Sequence, residues 1–174
     1  MSNIYISRTN QKLLFAKLHL DCLKQAEQGS GWSKHAQIES FEESVLFHLV
    51  SSYSAFLREI AEVYRLDPEK ISTRDELLTQ MELQGMESPE VKELSQLAGS
   101  GSWLSQLLSA YRACWTAQAR EQASHSGHAS LSEIQVVQVN PDHSSDTEVI
   151  AQLEGWMNSM RELVDRQREG LKEW

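Results

Sequence analysis

Little in this chain breaks a helix: its 174 residues hold eight glycines and three prolines, the two residue types that cost a helix interior most. Cysteine is scarcer still. Two thiols, Cys22 and Cys114, exclude the disulfide framework that staples small secreted domains. Both lie among apolar neighbours at helical spacing, where a free cysteine acts as a small hydrophobe, and a bridge between them stays open by spacing alone. No segment approaches the ~18 consecutive apolar residues of a membrane span, and residues 1–10 lack the basic start and apolar middle of a secretory signal. A cytoplasmic chain without membrane contact is expected. Basic side chains are also outnumbered: 16 Lys+Arg face 25 Asp+Glu, a net charge of −9. That balance argues against the electrostatic footprint that phosphate backbones require, so nucleic acid is not an expected partner.

What is present is helical periodicity. Leu13, Ala16, Leu20 and Leu23 form the inward stripe of a first helix over 12–28, with Ser7 or Thr9 available as its cap and Gly29-Ser30-Gly31 as its end, where glycine tolerates positive φ. A second helix runs from near Ser33 to Arg65 on Ile38, Phe41, Val45, Leu49, Phe56, Ile60 and Val63. Pro68 stops it, because the residue before proline is pushed out of the α region. Its ~32 residues span ~48 Å, against a compact diameter of ~40 Å for this length. An elongated molecule follows.

Thr73-Arg74-Asp75-Glu76 has the spacing of a capping box and Ser88-Pro89-Glu90 that of a cap with proline at the first helical position. Two short helices are predicted there, followed by a stronger one from Ser102 with Leu104, Leu107, Leu108, Tyr111, Cys114 and Trp115 in rhythm. Residues 124–147 read as a polar loop, with one β-branched run at 134–139 where a strand could form. A last helix follows Ser145 with Val149, Leu153, Trp156, Met160, Leu163, Gln167 and Leu171 as its seam. The expected architecture is all-α: one domain over 1–174, an elongated antiparallel bundle of four main helices, with two short helices at 74–98 as crossover or cap.

Charge is uneven along this plan. Residues 1–34 carry a balance of +3, while 67–93 and 121–150 each carry −5. Either the basic first helix is matched inside the molecule or an acidic face is offered to a partner; the internal match is the simpler expectation.

No chemical motif stands out. A di-iron bundle needs Glu-x-x-His twice, and the chain has none. His125 and His128, with His143 near, have zinc-like spacing, but their Ser/Gly-rich setting predicts solvated loop histidines and no metal. No nucleophile elbow, phosphate loop or dinucleotide fingerprint occurs, so neither catalytic residues nor a cofactor are assigned. His48, inside Leu46-Phe47-His48-Leu49-Val50, is a core histidine by default; with Tyr53, Tyr111 and Arg112 it could instead line a polar cleft. Among five tryptophans, Trp115 and Trp156 read as core and Trp32 and Trp103 as staples at helix starts. Trp174 either packs back or meets a partner.

Arg8-Thr9-Asn10-Gln11-Lys12-Leu13, Phe47-His48-Leu49 through Ala55-Phe56-Leu57-Arg58-Glu59-Ile60, Ser102-Trp103-Leu104 with Tyr111-Arg112-Ala113-Cys114-Trp115, and the ending from Arg166 to Trp174 together resemble an uncharacterised all-helical gammaproteobacterial family, some members of which are named PasA. The resemblance implies a bacterial cytoplasmic protein and brings no activity, cofactor or catalytic residue. The functional expectation is a noncatalytic protein acting through a protein partner or as a homodimer. The alternative is a small-molecule-binding or hydrolytic bundle built on the cleft around His48.

Overall fold

In the computed structural model, residues 4–99, 101–116 and 143–171 are described. The apolar stripe of the first helix becomes α1, Ile4–Gln28, with Leu13, Ala16, Leu20, Leu23 and Ala26 buried. Its start lies upstream of the expected caps. Ser7 and Thr9 are therefore interior, and the buried Thr9 hydroxyl donates back to the Tyr5 carbonyl at 3.1 Å, a local alternative to capping that threonine takes within helices. Gly29 ends α1, but not through a left-handed backbone: among the described glycines only Gly85 and Gly101 have positive φ. At Gly29 the constraint is close approach, since a β-carbon there would lie 3.1 Å from the Ala26 carbonyl oxygen.

The second stripe becomes α2, Lys34–Val63, whose 30 residues reach about 45 Å. Its termination departs from the usual residue choice. Leu66 N–H donates to Ala61 O at 2.9 Å and Arg65 N–H to Glu62 O at 3.1 Å, the paired bonds of a Schellman motif, with Arg65 at φ +57° where glycine is usual. The end of α3, Arg74–Leu83, repeats the motif with Gly85 in that place: Met86 N–H reaches Met81 O and Gly85 N–H reaches Glu82 O. A left-handed conformation costs a non-glycine residue about 1 kcal/mol. Arg65→Gly is thus expected to raise the unfolding free energy by about 0.5–1 kcal/mol and Gly85→Ala to lower it by about 1 kcal/mol. Paired urea titrations would check the opposite signs.

Between these motifs, Pro68–Lys70 forms one 3-10 turn capped by Asp67. The expected capping box forms at α3: Thr73 Oγ1 accepts from Glu76 N–H, and the Glu76 carboxylate accepts from the Thr73 and Ser72 amides at 2.9 and 2.7 Å. Those amide bonds hold the Glu76 carboxyl below its ordinary pKa. α4, Pro89–Gly99, and α5, Trp103–Ala113, follow, and then α6, Asp146–Leu171.

The cross-helix contacts give the directions. Lys24 meets Glu154 at 2.9 Å and Asn10 meets Arg168 at 2.9 Å, so α6 runs antiparallel to α1; Arg168 also meets Glu59, so α6 runs parallel to α2. Cys114 lies with Ser40 and Glu43, and Leu108 with Val50 and Tyr53, so α5 opposes α2. α1, α2, α5 and α6 are thus the up-down-up-down bundle that was expected. α4 closes the end where α2 and α6 finish, through Tyr64 to Glu90 and Arg166 and Gln167 to Glu93. One expectation of proportion changes: α5 has 11 residues, no longer than α4, leaving three long helices and three short ones among the described residues.

Phe56, Leu20, Leu23, Leu49, Leu104, Leu107 and Met160 are fully enclosed and make the centre. Trp156 joins them and Trp103 packs against them, as expected. Trp32 is fully exposed and staples nothing. Trp115, expected in the core, is 75% exposed, because α5 has already ended at Ala113 and the helical rhythm no longer aims it inward. The polar run 124–142, including 134–139, lies outside the described residues.

Candidate functional site

The α1–α2 hairpin carries an unusual seam. His19 of α1 and His48 of α2 face each other with ring centroids 5.0 Å apart, and His48 is also 5.4 Å from Phe15 and 5.2 Å from Phe47. The Nδ1 atoms of both histidines are buried without a hydrogen-bond partner among the described residues. Burial, then the charge of Lys12 and the neighbouring His19, push His48 below its ordinary value, so the imidazole is neutral at neutral pH. Catalytic base work needs a group that orients the ring, whereas here rings surround it.

Outside this seam the apolar surface continues. Lys12 Nζ stands 5.9 Å over Phe15 and 5.1 Å over Phe47, and burial and Arg8 lower its pKa. At about 100° per residue, Leu14, Phe15, Leu18 and Cys22 fall within one arc of about 100° on α1. Leu14, Leu18 and Phe47 are half exposed. Phe47 and His48 then border a hollow of about 420 Å³ shared with Glu43, Tyr111, Cys114 and Trp115. Phe15 of α1 and Phe47 of α2 thus meet through His48, and Phe47 shares its hollow with Trp115 just beyond α5.

The expected polar cleft is divided. Tyr53 and Arg112 line a different cleft of about 370 Å³, and Tyr111 is the residue common to both. Tyr111 stacks edge-on with Trp115 at 6.1 Å. His48 is therefore not enclosed with Tyr53 and Arg112 in one pocket. Cys22 and Cys114 are free and half buried; burial raises the Cys114 thiol above its ordinary pKa, and Glu43 and Glu42 add to it. Such a thiol is a poor nucleophile at neutral pH.

A third grouping was not anticipated. At the starts of α2 and α6, Glu42 is pushed up to about 7 by burial, then by Asp146 and Glu39. His143 Nδ1 lies 2.7 Å from Asp146 Oδ2, His35 Nε2 lies 3.2 Å from Glu39 Oε1, and the two imidazoles are 5.7 Å apart. The sequence held a signal for Glu42, which sits four residues after Ile38 and three before Val45 on the buried stripe. Among the described residues no three His, Cys, Asp or Glu side chains are arranged to hold a metal. His125, His128 and Trp174 lie outside the described residues. His143 contacts Asp146 and His35.

Among the described residues, the ion pairs of the basic first helix do not reach the acidic segments. Lys24 reaches Glu154 and Lys17 reaches Asp21, neither of which belongs to 67–93 or 121–150. Within 67–93, Glu90 and Glu93 serve Tyr64, Arg166 and Gln167. Among the described residues no helix is long and apolar enough to cross a membrane. No curated protein and no solved structure matches the chain. A family model does, over residues 1–174: the chain belongs to DUF6586, a family of unknown function.

Proposed function

We propose that this is a noncatalytic cytoplasmic interaction protein that docks an amphipathic, acidic helical segment of a partner protein on the α1–α2 flank. The observation that carries this reading is the exposed apolar arc of Leu14 and Leu18 beside Phe15 on α1, with Phe15 and Phe47 joined through His48 and Phe47 sharing a hollow with Trp115. Exposed apolar surface of this kind marks interaction sites. The apolar side of α2 is taken up by α1, α5 and α6, which all pack on it. Charge selects the partner. Arg8 and Lys12 flank the strip, close enough for one to depress the other, so an acidic margin on the docked helix is complementary.

A photoreactive residue at Leu18 should form one defined adduct in cells, and the same residue at the exposed Glu162 of α6 should not. The Leu14→Glu/Leu18→Glu variant should retain its helical circular dichroism and cost no more than about 1 kcal/mol of stability, as expected at exposed positions, while losing the adduct. Equal labelling from both positions would remove the assignment. Sedimentation distinguishes the homodimer version, in which the adduct has twice the chain mass and the variant is monomeric.

A further inference from the structure

Tyr53 is where the packing of α2 leaves a polar group unanswered. It is 4% exposed, and its buried hydroxyl has no hydrogen-bond partner among the described residues, a condition that calls for a reason in a folded chain. Tyr53 lines the cleft of about 370 Å³ between α2, α3 and α5, a volume within the range of small-molecule sites. Arg74 and Asp75, the charged groups that act on its phenol, line the same cleft. Burial pushes this phenol up to about 12, which keeps it a hydrogen-bond donor.

The walls divide by chemistry. Arg74 and Arg112 supply positive charge, while Val50, Leu108 and Tyr111 supply an apolar face. The rim is fixed: Ser54 Oγ donates to Ser72 O at 3.0 Å and Arg58 Nε to Ile71 O at 2.6 Å, tying the segment before α3 to α2. Arg74 directs Nε and Nη2 to a single oxygen of Asp75, at 3.0 and 2.6 Å, and the Asp75 side chain is 78% exposed. Exposed ion pairs are weak. An incoming carboxylate can replace Asp75 on the guanidinium while Asp75 turns to water, and the remaining acidic charge disfavours a dianion.

We infer that the Tyr53 cleft binds a small monoanionic organic acid, a carboxylate carried on an aromatic body. Its carboxylate sits on Arg74 and Arg112, its ring lies against Tyr111 and Leu108, and the Tyr53 hydroxyl donates to it. Arginine favours this planar, paired recognition. The site is separate from the docking strip on α1.

Calorimetric and NMR titration of the full chain with benzoate tests the inference, with benzamide as the neutral isostere and inorganic phosphate as the anion without a ring. Benzoate should saturate, with benzamide and phosphate each at least about tenfold weaker. Arg74→Gln should weaken benzoate by about tenfold and Tyr53→Phe by about fivefold. Asp75→Asn should tighten it several-fold, an outcome that a purely structural role for Asp75 does not produce. Tyr53→Phe keeps the ring and should fold as well as the parent, so a loss of binding there reports the hydroxyl. Equal binding of benzamide, unchanged affinity in Arg74→Gln and Tyr53→Phe, or no saturation at about 10 mM would overturn the inference.

Discussion

Arg168→Met is expected to cost about 3–5 kcal/mol of stability, the range seen when one partner of a buried ion pair is removed. The guanidinium makes two parallel bonds to Glu59, Nε to Oε2 at 2.9 Å and Nη2 to Oε1 at 2.8 Å, and a third from Nη1 to Asn10 Oδ1 at 2.9 Å. Glu59 is 4% exposed. Removing Arg168 therefore strands a carboxylate between α1, α2 and α6, where no other described cation is paired with it. Removing both charges has a different result: Glu59→Leu/Arg168→Met should lose much less than the single change, because desolvating the pair offsets most of its attraction. Urea unfolding of both variants checks the ordering. An equal loss in the two would locate the effect in packing instead of charge.

The contribution of Glu42 to stability should also fall as the pH rises from about 4.5 to about 7, against the opposite slope that the lowered His48 adds below about 6.5. Glu42 has its folded pKa raised to about 7 from 4.5 by burial and by Asp146 and Glu39, so within this window the folded chain holds a proton that the unfolded chain has released. Stability declines with pH wherever the native state binds more protons. At about 1.4 kcal/mol per pH unit this shift is worth at most about 3 kcal/mol, and solvent screening at a half-buried group reduces it to about 2 kcal/mol. The loss is complete above the folded pKa and absent below the unfolded one. Glu42→Gln carries no proton to lose and should flatten the profile across this interval, gaining most over the parent near pH 8. Melting temperatures of both proteins from pH 4 to 8 would show it; parallel profiles would assign the slope to another group.

The helices were legible because their signals are local. Apolar spacing placed α2 within two residues at its C-terminus, and the Thr73 box and the Ser88-Pro89 start fell where backbone amides needed partners. Misreadings arose where local signals competed. Ser7 and Thr9 are capping residues by type, yet Thr9 bonds back to Tyr5 and the helix passes through both. Trp115 kept the rhythm of a helix that stops two residues earlier.

The candidate site was less legible because it depends on which faces meet. His48 was visible as a histidine on an apolar stripe, but its neighbours Phe15 and His19 come from α1. Tyr53 and Arg112 do share a cleft, and Arg74 completes it from a segment whose return to α2 is set by Arg58 and Ser54. Charged residues on buried stripes were the unused clue: Glu59 lies three after Phe56, and Arg168 lies three before Leu171. Each is a charge in an inward position, and each finds the other.

The polar anchors of α6 also decide a question of alignment. Its seam of Leu153, Trp156, Met160 and Leu163 repeats each turn, so apolar contact alone penalises little a slide of one turn, about 5.4 Å, along α1 and α2. Glu154 to Lys24, Arg166 to Glu93, and Arg168 to Glu59 and Asn10 are spread along α6 and reach three other helices. A slide would break all of these contacts together and leave Glu59 buried alone. The charges on this helix therefore act as a vernier, selecting one longitudinal setting from several that the hydrophobic surface would accept.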